Sequence, residues 1–202
     1  MPSIGHENVR HATLLFCAEG VIVRTTGAGE GWNMFLVSDG SRDARKKIIS
    51  GLAAKDKAVG FLLSVIDFEW TLRRAILMLS TAPTRTIREA LATCHGLDAY
   101  SKLWKAHVVH NKGHGATVEL AAVVNRAEKR NGNKSPWEQL KAAFGVRHRL
   151  VHGVSGFIKD EDAERHMLNV FAATDALAKF VTLNGMDVFE PIKPRKDNKE
   201  KK

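Results

Sequence analysis

The sequence has little cysteine and a single tyrosine. Cys17 and Cys94 stand too far apart to form a metal or redox motif, so they read as two reduced thiols in a cytosolic protein. No apolar run approaches the ~18 residues of a membrane span. The opening MPSIGHENVR is polar, and the apolar run over residues 14–18 is too short for a secretory signal. These absences predict a cytoplasmic protein with no membrane partner. Gly27, Gly29 and Gly31 invite a phosphate-loop reading. No helix pattern opens behind them and no Lys-Ser/Thr pair follows, so neither nucleotide fingerprint is met and a turn is the better account. His107, His110 and His114 cluster, but His114 lies past a glycine. No Cys, Asp or Glu joins them within four residues, so no metal and no cofactor are expected. The cluster reads as a polar helix end, with a share in RNA contact as the alternative.

What is present is enough for a core. The chain has 202 residues, 44% of them hydrophobic, which suits one folded domain. The net charge is +9. Residues 193–202 hold six Lys or Arg and two acids, so +4 sits in the tail and +5 is left for the rest. That balance permits a polyanionic partner without identifying one.

In chain order, residues 1–40 are the least regular and read equally as a short hairpin or as a loose helix followed by a loop. A helical pattern starts near Asp43 and runs to about Leu79, with Gly51 and Gly60 as breaks. Its second half is apolar over more than half its circumference, which requires enclosure by a bundle or a dimer partner. Glu69 and Arg73 sit four apart within that apolar arc. They form either an internal salt bridge that holds helix register or a pair whose Glu69 also orients another group. Pro83 ends this helix. Thr86 and Glu89 form a capping box for a short helix stopping at Gly96, and Asp98 caps the next, to about Val109. Helices are expected from Val118 to about Arg130 and from Asp160 or Asp162 to Leu183, with His166 solvated on the last. The whole reads as an all-α bundle over residues 41–185, followed by a basic, disordered tail over residues 186–202.

One stretch stands out, SPWEQLKAAFGVRHRLVHG, residues 135–153. Ser135, Pro136 and Glu138 spell a helix start with a capping box. At 100° per residue, Trp137, Leu140, Ala143, Phe144, Val146, Leu150 and Val151 share one arc. Arg147 falls near the middle of it. A guanidinium stays charged, and burying it unpaired costs several kcal/mol, so Arg147 needs a carboxylate or a wet cleft. His148 and His152, four apart, border the arc. A fixed cation with imidazoles beside it suits a phosphate, because the cation holds the oxyanion and the imidazole moves a proton near neutral pH. Arg147 and His152 lie about 140° apart on an ideal helix. They converge only if the helix end bends or a second copy of the chain supplies the complementary group. Alternatively, Arg147 is a core ion pair with Glu69, and His152 caps a helix C-terminus where the dipole favours a cation.

The run Arg147-His148-Arg149-Leu150-Val151-His152 resembles the Arg-x(4–6)-His motif of the HEPN superfamily. Its Arg-His-x-x-x-His form is similar to the branch that processes ribosomal RNA precursors. The resemblance implies an all-α bundle, a homodimer with a composite active site, and metal-independent endoribonuclease activity on single-stranded RNA. It implies His152 as general base or acid, Arg147 holding the phosphate, His148 as second proton carrier or orienting group, and Glu69 fixing Arg147. Arg73 and Arg74 resemble the polar early-helix feature that faces the motif, and with Arg149 they are the expected RNA contacts. Many members of the family have lost activity and serve as dimerising or RNA-gripping modules, which is the alternative function. Some toxin members carry a tyrosine two residues after the motif histidine. Here Val154 holds that place and the only tyrosine is Tyr100, so the chain departs from that class and leaves any antitoxin or other regulator unidentified. Defence, growth arrest and RNA processing all remain open as roles.

Overall fold

The structure is a computed structural model. It describes residues 12–17, 20–25, 33–34, 42–109, 118–128, 133–153, 157–193 and 195, the first three spans as backbone. The chain forms two compact units, Met1–Arg45 and Lys46–Lys202.

In the first unit, β1 (Ala12–Cys17), β2 (Gly20–Thr25) and β3 (Asn33–Met34) form an antiparallel sheet in that order. Ala12 pairs with Thr25 and Cys17 with Gly20, so β1 and β2 make the hairpin that was one of the two expectations for this segment. The apolar and β-branched residues on both strands suit a pleated surface.

The second unit is all-α, as expected. It comprises α1 (Arg42–Ala53, which begins in the first unit), α2 (Lys57–Leu79), α3 (Thr84–Ala92), α4 (Leu97–Trp104) with a π-turn over Lys105–Val109, α5 (Leu120–Val124), α6 (Pro136–Val151) and α7 (Asp160–Leu183). Among the described residues, no helix is long and apolar enough to cross a membrane.

The long helix α2 is the centre of the unit. Asp56 caps it by accepting from the Val59 N–H at 3.1 Å. Phe61, Val65, Phe68, Leu72, Ala75 and Ile76 are all fully enclosed, so the helix is buried on several sides. Buried hydroxyls at Ser64 and Thr71 are satisfied by the carbonyls of Phe61 and Asp67, at 2.7 and 2.8 Å. The break from α1 falls at residues 54–56 and not at Gly51 or Gly60. Gly60 instead serves a close approach between helices. A Cβ there would lie 2.2 Å from the Ala53 Cβ, so its bare backbone lets the end of α1 come up against α2.

α7 runs parallel to α2. Lys57 pairs with Glu164 at 3.1 Å near both helix starts, and Arg74 near the end of α2 donates to the carbonyls of Val188 and Glu190, just past α7. α6 packs beside both and runs antiparallel to α7. The Phe68 and Phe144 rings meet edge to face, 6.0 Å between centroids.

Several boundaries differ from expectation for local reasons. α2 does end at Leu79, as its pattern requires, but the stop comes from Ser80, which turns extended while its N–H still bonds Ile76, and not from Pro83. α3 starts at Thr84 with Pro83 before it. Glu89 pairs with Arg85 at 2.8 Å instead of closing a capping box with Thr86. Gly96, at φ 79°, precedes α4, and Asp98 lies in the first turn without capping it. α5 ends at Val124, where Asn125 turns its side chain to accept from the Trp137 N–H at 3.0 Å. Neither Asp160 nor Asp162 caps α7; both lie in its first turn, where their charge suits the helix dipole. Gly185, at φ 76°, supplies the left-handed stop after Asn184.

The segment after α7, expected to be free, is docked as far as Arg195. Val188 is buried, Phe189 stacks on Trp70 at 5.9 Å, and Arg195 donates to the carbonyls of Leu77 (2.6 Å) and Ala82 (3.0 Å). Leu77 is one of the last residues of α2, whose carbonyls have no partner within the helix, so a cation there is doubly suited. Residues 196–202, the glycines Gly27, Gly29 and Gly31, and Val154 lie outside the described residues.

Candidate active site

The motif helix begins as its sequence requires. The Ser135 hydroxyl accepts from the Glu138 N–H at 3.3 Å, and the Glu138 carboxylate accepts from the Ser135 N–H at 2.7 Å. These bonds hold the Glu138 carboxyl below its ordinary range, chiefly through the Ser135 backbone donor. Leu140, Ala143 and Phe144 enter the core, and Trp137 is half-buried. The second half of the helix differs from its first. Val146, Arg147 and Leu150 are half-buried and Val151 is 53% exposed, so the apolar arc leaves the core at about Gly145.

Arg147 therefore has both of the environments its charge could accept. It is partly open to water, and it lies within electrostatic reach of an acid without an ion pair to it. Burial pushes the Glu69 carboxyl upward, and the charge that opposes this most is Arg147, followed by Arg73 and His95. α2 supplies Glu69 one residue after Phe68, which packs on Phe144, three residues before Arg147. The aromatic contact between α2 and α6 thus holds Glu69 within electrostatic reach of Arg147.

The Glu69–Arg73 pair expected on one helix face is not the arrangement found. Arg73 Nε donates to the Tyr100 hydroxyl at 2.7 Å, and its guanidinium lies 5.5 Å from that ring. Burial raises the Tyr100 phenol, and the bond from Arg73 opposes the rise. Cys94, buried, is likewise raised by burial, with Arg73 acting against it. Sequence reasoning gave His95, Tyr100 and Cys94 no part here. They come from α4 and the turn before it, and nothing in their local spacing points to Glu69.

Arg74, expected to contact RNA, is committed elsewhere. Its guanidinium lies 4.9 Å from the Trp70 ring and holds the chain after α7 by two carbonyls. Arg149 is also on a different face: it lines the groove between α6 and α7, about 200° around the helix from Arg147.

His148 and His152 are both exposed, with ring centroids 4.4 Å apart. His152 caps α6, its N–H bonding the His148 carbonyl at 3.0 Å, and Gly153 follows at φ 69°. The histidine pair thus stands exposed at the end of the helix that carries Arg147. His107 is half-buried in the π-turn, while His110 and His114 lie outside the described residues. Among the described residues, no three His, Cys, Asp or Glu side chains are grouped to hold a metal ion.

No family model, curated protein or solved structure matches this chain. The reading of the site therefore rests on its own residues.

Proposed function

We propose that the helical unit is a metal-independent endoribonuclease, resembling the HEPN kind, that cleaves single-stranded RNA. The 2′-hydroxyl loses its proton and attacks the adjacent phosphorus. A 2′,3′-cyclic phosphate forms, and the 5′-oxygen leaves with a proton. The reaction needs proton transfer and charge stabilisation at phosphorus, each worth roughly two to four orders of magnitude in rate.

His152 serves as base or acid, and His148, its ring neighbour, is the second proton carrier or orients the first. Arg147 holds the phosphate and its developing charge, and Glu69 positions Arg147. The observation that carries this reading is the half-open Arg147, whose charge acts on Glu69 more than any other does, on the helix that ends in two exposed imidazoles. Because Arg147 and His152 point in different directions from α6, a second copy of the chain completes the cleft in this proposal. The exposed Val151 beside them suits such a contact.

The second reading is a non-catalytic dimerising or RNA-binding module. It is favoured by His152 serving as the cap of α6, a role that needs no chemistry.

The test is incubation of purified protein with total RNA in EDTA, beside His152→Ala and Arg147→Ala. Loss of cleavage in both variants, with fold and oligomeric state kept, supports the nuclease. Wild-type cutting by His152→Ala refutes the assignment. Cutting that EDTA abolishes refutes the metal-independent mechanism.

A further inference from the structure

Arg73 is clamped without being neutralised. It is exposed, and among the described residues its guanidinium donates from Nε alone, to the Tyr100 hydroxyl at 2.7 Å. Tyr100 is 1% exposed, so the core fixes it, and the guanidinium lies 5.5 Å from the centre of its ring. Burial pushes the phenol up, so it stays protonated. A neutral phenol aims the arginine and leaves its charge whole, where a carboxylate would aim it and cancel it. Arg85 and Arg165 show the other case, paired with Glu89 at 2.8 Å and with Asp162 at 2.5 Å. The terminal nitrogens of Arg73 remain to be used, in the forked geometry that suits a phosphate.

Three helices place this cation near Arg147. α4 meets α2 at Tyr100 and approaches α6 at Asp98, whose carboxylate lies 3.9 Å from the Lys141 ammonium. α2 meets α6 where Phe68 packs on Phe144. These two helices run antiparallel, since α7 is parallel to α2 and antiparallel to α6. Arg73 therefore lies beyond that contact in one direction, along α2, and Arg147 lies beyond it in the other, along α6. The two guanidiniums flank Glu69, which feels both. Burial pushes that single carboxyl toward its neutral form, so the junction stays positive.

The groove between α6 and α7 suits an anion less well. Its Arg165 is already paired. Its His166, expected to be solvated, packs on Phe61 at 5.7 Å between centroids and is pushed by burial toward the neutral form.

We propose that Arg73, aimed by Tyr100, holds a second phosphate of the RNA strand whose scissile phosphate lies on Arg147. Tyr100 is then a positioning residue that acts through Arg73. A single strand carries a phosphate at every nucleotide, so two fixed cations on either side of Glu69 set its course and keep the scissile bond in register. The proposal rests on the nuclease reading only in placing RNA on Arg147, and it is read by binding.

The test is equilibrium binding of a labelled single-stranded oligoribonucleotide to the full chain over a range of salt concentrations. The strand carries 2′-O-methyl groups, so it has no nucleophile and stays whole. Arg73→Gln, at an exposed position, should weaken binding and flatten the slope of log affinity against log salt by about 0.7, the share of one phosphate contact on a single strand. Tyr100→Phe keeps the ring and the charge of Arg73 and removes only the hydroxyl. It should keep the wild-type slope and weaken binding by about two- to tenfold, the cost of ordering one long side chain on binding. If Tyr100→Phe fails to fold, the slope of Arg73→Gln decides. A hydroxyl that only braces α4 against α2 would lower the melting temperature of Tyr100→Phe and leave its RNA affinity unchanged, which overturns the proposal. A wild-type slope in Arg73→Gln, or no binding by the wild type, also overturns it. If both variants behave as expected while unmodified RNA is bound and not cut, the proposal stands and the nuclease reading falls. If unmodified RNA is cut and both variants bind as the wild type does, the nuclease reading stands and the proposal falls.

Discussion

Gly60→Ala tests how α2, the carrier of Glu69, is seated. In an ordinary helix interior this change stabilises by roughly 0.5–1 kcal/mol, because glycine loses more backbone freedom on folding. Here the added methyl would meet the Ala53 Cβ at 2.2 Å and the Ala53 Cα at 2.8 Å. The second of these atoms is backbone, so no rotamer change relieves the clash, and the end of α1 must shift. Overpacking of this kind costs about 1–3 kcal/mol. Because one of the clashing atoms is backbone, the upper part of that range applies, about 2–3 kcal/mol, and less the propensity gain it leaves a net loss of about 1–2 kcal/mol. For a chain of this length that is a fall of roughly 2–8 °C in melting temperature. Gly145, exposed in α6, is the control: a Cβ there meets nothing within 4 Å, so Gly145→Ala should raise the melting temperature. Adding Ala53→Gly to Gly60→Ala removes the methyl of residue 53 but leaves its backbone in the way. The double variant should therefore recover part of the loss and show coupling. Thermal unfolding followed by circular dichroism measures these proteins, with Ala53→Gly alone completing the cycle that the coupling requires. If Gly60→Ala melts as high as or higher than the wild type, the close approach of α1 and α2 is wrong.

Two further outcomes are expected. The Glu69 carboxyl is raised by burial, so the folded state binds more protons than the unfolded state from its ordinary value of 4.5 up to its shifted one, and stability falls as pH rises through that window. Glu69→Gln removes this titration, so its gain in melting temperature over wild type should be larger at pH 7 than at pH 4, while RNA cleavage falls if Glu69 positions Arg147; a gain that does not vary with pH would contradict the burial of the carboxyl. Arg195→Ala loses the donors to the carbonyls of Leu77, in the last turn of α2, and Ala82. Hydrogen bonds from a charged group are worth about 1.5–3 kcal/mol, less where half-exposed as here, so urea unfolding should show a loss of about 1–2 kcal/mol; a midpoint equal to wild type would mean that the docked segment contributes nothing.

The same residue corrects an expectation about the C-terminus. Lys, Arg and Pro in succession read as a solvated tail, because composition records that the segment lacks a core of its own. It does not record that the Leu77 carbonyl, near the end of α2, stands where Arg195 can bond it. Removing residues 191–202 therefore does more than lower the positive charge: it takes away Arg195 and should destabilise the helical unit.

Some of the structure follows from neighbours in the chain. The start of α6 rests on Ser135, Pro136 and Glu138, within four residues of one another, and its bonds are those the spacing requires. The stop of α7 at Asn184-Gly185 and the enclosure of α2 are local in the same sense, because side-chain period and backbone freedom are properties of short stretches. The approach of His148 and His152 is one turn of one helix. Arg147 amid hydrophobes could likewise be read as a residue in need of an acid or of water. Which acid acts on it most, that Arg73 turns away to Tyr100, that Arg74 clamps the chain beyond α7, and that Arg149 and His166 share a separate groove were decided by how the helices cross. Periodicity fixes which residues share a face, but the partner of that face is chosen by packing between segments tens of residues apart, and no local rule carries that information.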